Sequence, residues 1–114
     1  MNEKNEGGIP AFKHPNLNSL RSFTHREALC DSLVKKSLQE GYMTEEELLI
    51  GRWVSSFLDE NEAETEEEDF EKKHKLWLSK LPEACEETSK VFNITKEKAE
   101  ELFKKSLDIR ARNL

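Results

Sequence analysis

The sequence predicts an all-α fold, a compact bundle of four to five short helices with a flexible N-terminal arm. Three observations predict it. The pattern Thr-x-x-Glu recurs at Thr24-x-x-Glu27, Thr44-x-x-Glu47 and Thr65-x-x-Glu68. In such a capping box the threonine hydroxyl accepts from the backbone N–H three residues on, and the glutamate reaches back to the threonine N–H. Two orphan donors of a helix start are satisfied together. Apolar residues follow each box at helical spacing. No stretch alternates with period two for long enough to form a strand.

Residues 1–18 hold two of the three prolines, two of the four glycines and no helical period. They are expected to form the arm, with residues 19–114 as one helical domain. Ile9, Ala11, Phe12 and Leu17 are apolar enough to lie along the body or a partner. The first predicted helix runs from about His25 to Glu40, with a shorter turn from Ser19 ahead of it. Leu29, Cys30, Leu33, Val34 and Leu38 mark its apolar face. Gly41 follows at the C′ position, where a positive φ costs glycine nothing.

The second predicted helix, about Glu45 to Leu58, carries Leu48, Leu49, Ile50, Trp53, Val54, Phe57 and Leu58. That sector is wider than one stripe, which makes this helix the expected centre of the fold. Gly51 costs about 1 kcal/mol relative to alanine in a helix, and a close helix crossing would explain it. The third predicted helix starts near Thr65 and places Phe70, His74, Trp77, Leu78 and Leu81 on its stripe. Pro82 ends it and suits the first turn of a fourth, which runs to about Phe92 with Ala84, Cys85, Val91 and Phe92 inward. Asn93-Ile94-Thr95 makes a turn, with Thr95 as N-cap of a fifth helix to about Ala111 that buries Ala99, Leu102, Phe103 and Leu107.

Charge is unevenly distributed over the 114 residues and their formal net of −6. Residues 59–71 hold nine carboxylates and no base, whereas residues 72–114 hold eleven Lys or Arg against seven acids. The acidic block supplies more than the whole net charge. Its simplest account is helix-start stabilisation and solvation of a linker. The sharper one is a negative surface, Glu66, Glu67, Glu68 and Asp69, for a basic partner. Imitation of DNA would need carboxylates along an extended face at phosphate spacing. These are concentrated in 13 residues, so a DNA-mimicking inhibitor is the lesser alternative. Nucleic acid is not the expected partner of so acidic a chain.

Residues 88–103 have the outline of a helix-turn-helix, the alternative functional reading, with Thr95 and Lys96 as the DNA contacts. Against it, the second helix begins with Glu97, Glu100 and Glu101, which repel phosphates. Catalytic chemistry is not expected. Cys30 and Cys85 lie on predicted apolar faces, unfavourable for a thiolate, and are expected to be reduced. No phosphate loop, HExxH, CxxC or nucleophile elbow is present. No cofactor and no metal are expected. With no run of roughly 18 apolar residues and no apolar segment behind the N-terminus, the expectation is a cytoplasmic chain without a membrane partner. The predicted function is a small non-enzymatic protein-binding module, an adaptor, chaperone-like subunit or inhibitor that occupies a partner's surface. Trp53, Phe57 and Trp77 are its candidate anchors, since tryptophan is enriched in binding hot spots. A second copy of the chain is the other candidate occupant.

Overall fold

Asp31 divides the first predicted helix in two. In the computed structural model, which describes residues 12–61 and 69–111, α1 spans Leu17–Cys30 and α2 spans Ser32–Gln39. The Asp31 backbone is extended, and its carboxylate accepts from the N–H groups of Leu33 (3.0 Å) and Val34 (3.3 Å). One residue ends α1 and caps α2. The other end of α1 lies further upstream than predicted, because Asn16 acts as its N-cap and accepts from Ser19 N–H at 2.9 Å. Thr24 therefore falls inside α1, where it is buried, and Thr24-x-x-Glu27 is not a capping box. The kink at Asp31 also breaks the predicted face. Leu29 is 58% exposed and Cys30 is exposed, while Val34 reaches the core and Leu33 and Leu38 pack against it.

Gly41 takes its expected role at φ 79°. Tyr42 N–H donates to Ser37 C=O at 3.0 Å and Gly41 N–H to Leu38 C=O at 3.1 Å, the paired bonds of a Schellman motif. Both halves of the Thr44–Glu47 box form, at 3.1 and 2.9 Å, and open α3, Glu45–Glu60. This helix is the centre of the fold as predicted, burying Leu48, Leu49, Ile50, Gly51, Trp53, Val54, Phe57 and Leu58. The Thr65–Glu68 box lies outside the described residues. Asp69 caps α4, Phe70–Leu78, by accepting from Lys72 N–H.

Pro82 sits in the first turn of α5, Leu81–Phe92, which ends on Asn93 in the left-handed region at φ 57°. Thr95 then caps α6, Lys96–Ala111, accepting from Lys98 N–H at 3.0 Å. α6 buries Ala99, Leu102, Phe103, Ser106 and Ile109, whereas Leu107 is 51% exposed and Val91 of α5 is also exposed. The inward face of α6 centres on small Ser106, where it crosses Gly51 of α3, so Leu107 falls to one side.

The chain is thus an all-α bundle, and its described residues form six helices and no strand. One apolar cluster joins α2, α3 and α6 through Val34, Met43, Leu48, Ile50, Leu102 and Ile109. A second joins α3, α5 and α6 through Val54, Phe57, Leu58, Ala84 and Phe103. Of the predicted arm, residues 1–11 lie outside the description. Residues 12–16 dock on the body and Leu17 already begins α1. No described helix is long and apolar enough to cross a membrane.

Candidate protein-docking surface

Position in the fold separates the sequence-predicted site residues into two groups. Trp53 and Phe57, expected as partner anchors, are 3% and 0% exposed and belong to the core. The wide apolar sector of α3 is covered on every side by α1, α5, α6 and the docked N-terminal residues, so neither ring faces solvent. Trp77 is half-buried. Its ring packs on Phe103 with centroids 6.0 Å apart, and its indole N–H donates to Asp59 at 2.7 Å. Asp69 serves as the α4 cap; Glu66, Glu67 and Glu68 lie outside the described residues. Thr95 caps α6, and Lys96 pairs with Glu86 at 3.3 Å.

The surface that remains is α4 itself, which has no buried residue. Phe70 is 79% exposed, and Leu76 and Leu78 are exposed as well. Helical spacing predicts Phe70, His74, Trp77, Leu78 and Leu81 on one core-facing stripe. Only Trp77 and Leu81 pack against a core cluster. The helix meets the body at its C-terminal end, and the first two turns of the stripe carry no cover among the described residues. There the rings form a near-parallel ladder. Phe70 and His74 are 6.1 Å apart at 13°, and His74 and Trp77 are 5.7 Å apart at 20°. Helical spacing puts Lys73 beside the ladder, and it has no ion-pair partner among the described residues.

The stripe continues into a groove of about 440 Å³ between the end of α4, α5 and the start of α6, lined by Leu78, Leu81, Pro82, Cys85, Lys96, Glu97 and Glu100. Cys85 sits at its base. Burial, then the charge of Glu100, pushes the thiol up to about 11 against the opposing pull of Lys96 and Lys104. So protonated a thiol is a poor nucleophile. An aromatic disulfide reagent at pH 7.5 is therefore expected to titrate one thiol per native chain, the exposed Cys30, and two after denaturation. Rapid reaction of two in the native chain would show the groove to be open to its base.

The α5–turn–α6 unit has the predicted outline but a poor surface for reading bases. Lys104 pairs with Glu100 at 2.8 Å and Lys98 with Glu101 at 3.6 Å, while Glu97 stands exposed at the helix start. These ion pairs engage the cations that would have met phosphates. Among the described residues no three His, Cys, Asp or Glu side chains are grouped to hold a metal ion. No protein-family model, curated protein or solved structure matches this chain.

Proposed function

We propose that this protein is a small non-enzymatic protein-binding module whose docking element is α4 together with the groove at its C-terminal end. The observation that supports this reading is a helix with an aromatic ladder and no buried residue, where each of the other described helices buries at least two. An apolar stripe of this kind is what a helix-in-groove contact uses. The expected partner surface is an amphipathic helix of another protein with a carboxylate beside its apolar stripe, which would meet Lys73.

Phe70→Ser with Leu78→Ser tests the reading, because both side chains are exposed and the fold does not depend on them. In affinity purification from the native host, the wild-type chain is expected to retain one stoichiometric protein that the double variant loses, with unchanged circular dichroism. A partner held equally by both chains would move the contact elsewhere. Salt-sensitive binding to duplex DNA at micromolar protein would instead favour the regulator reading.

A further inference from the structure

Residues 12–15 lie in a groove between α3 and α5 that recognises them in the manner of a bound peptide. Phe12 packs on Phe57 with centroids 5.7 Å apart. The His14 ring lies against both Phe57, at 5.7 Å, and Trp53, at 6.1 Å, and its Nε2 is 3.2 Å from Glu87 of α5. Pro15 is buried. Between the aromatic residue and the histidine, the side-chain amide of Asn61, the C-cap of α3, pairs with both main-chain polar groups of Lys13. Its Oδ1 accepts from Lys13 N–H at 2.9 Å and its Nδ2 donates to Lys13 C=O at 2.6 Å. That pair reads main chain and is indifferent to the side chain at position 13. The Asn61 amide is itself oriented by a bond from Nδ2 to Phe57 C=O at 3.0 Å.

The fit of this resident segment is incomplete. Phe12 remains 45% exposed, and the indole N–H of Trp53 is buried without an acceptor among the described residues. Trp53 and Phe57, read from the sequence as binding anchors, line the groove; what hides them on this side is the chain's own N-terminal segment.

We propose that this groove is a peptide-binding site closed in cis, and that its exchange occupant is an extended segment of a partner protein with the order aromatic, any residue, histidine, proline. The aromatic residue takes the place on Phe57, the second residue offers its main-chain N–H and C=O to Asn61, the histidine reaches Glu87, and proline fixes the extended backbone. This site is separate from α4 and stands or falls independently of the α4 reading. A tethered segment acts at an effective concentration on the order of millimolar, so a free peptide of equal chemistry competes poorly until the tethered one is weakened.

The test uses the full chain and a fluorescein-labelled peptide of residues 9–17. The Phe12→Ala/His14→Ala chain is expected to bind that peptide at least tenfold more tightly than the wild type does. Adding Asn61→Ala to that variant is expected to abolish binding, as is alanine at the aromatic and histidine positions of the peptide. Should the double variant fail to fold, His14→Ala alone, which weakens the resident segment and leaves Phe57, Asn61 and Glu87 in place, is expected to raise peptide affinity in the same direction. No binding to a natively folded weakened chain at about 1 mM peptide would overturn the proposal. Equal binding of the alanine-substituted peptide would overturn it too.

Discussion

Gly51→Ala is expected to lower the unfolding free energy by about 2 kcal/mol, although alanine is the better helix former. A Cβ on Gly51 would lie 2.7 Å from the Leu102 carbonyl oxygen and 2.7 Å from both Cβ and Oγ of Ser106. The first of these is backbone and cannot rotate away. The serine is held in place, since its hydroxyl donates to Phe103 C=O at 2.7 Å. Relief requires α3 and α6 to move apart along the contact that holds most of the core. Overpacking of this kind costs about 1–3 kcal/mol, here at the upper end or beyond, and the gain in helix propensity offsets about 1 kcal/mol of it. Urea denaturation is the measurement: the midpoint should fall with an unchanged slope. Ser106→Gly removes two of the three conflicts but leaves the carbonyl, so the double variant should recover part of the loss and show a non-additive cycle. Stability equal to the wild type in Gly51→Ala would mean that the two helices do not approach so closely.

That crossing was legible in the sequence, and the reason extends to much of the fold. A glycine inside an otherwise strong apolar helix has few explanations, and close approach is the commonest. The same holds for Thr44 with Glu47, Gly41, Pro82 and Thr95, where the local bond that defines the element lies within a few residues of its cause. Thr24 with Glu27 shows the limit. The motif has the residues of a capping box, but helix entry is decided by the competition between Asn16 and Thr24 for the start, and the buried contact of α1 with α3 settles it. Asp31 is the complementary case: a helix-capping residue hidden within an apparently continuous apolar period, able to end one helix and begin the next.

The docking surface was less legible, because period alone does not say whether a stripe finds something to cover it. Phe70 and His74 satisfy the helical spacing as well as Trp77 does, yet only Trp77 reaches the core. In the sequence Trp53 and Phe57 have the look of anchors because α3 is apolar over too wide an arc for one neighbour. The arc is wide because four parts of the chain cover it, one of them the N-terminal segment at Phe12 and His14. The same helix carries a polar signal as well. Arg52 is the lone charge between Ile50 and Phe57, and a charged residue within such a run calls for a carboxylate from elsewhere in the fold.

The carboxylate is Glu27, and its removal is expected to be the other most damaging change. Arg52 Nε donates to Glu27 Oε1 at 3.0 Å and Nη2 to Oε2 at 2.8 Å, a two-pronged pair, while Nη1 reaches Ser106 C=O at 3.4 Å. The side chains are only 18% and 11% exposed, so water replaces little of what either loses. Through this one guanidinium α3 is tied to both α1 and α6 beside the Gly51 crossing. Removing one member of a fully buried pair costs about 3–5 kcal/mol, and the residual exposure here lowers the expectation to about 2–3 kcal/mol for Glu27→Ala. Glu27→Ala with Arg52→Leu should be more stable than Glu27→Ala alone, because it takes away the stranded charge as well. Added salt should change the effect little, in contrast to the exposed Arg21–Glu46 pair at 3.0 Å. If Glu27→Ala lowered stability by only a few tenths of a kcal/mol, the pair would belong with exposed ones, and α1 would be held to α3 chiefly by the packing of its small residues Thr24 and Ala28.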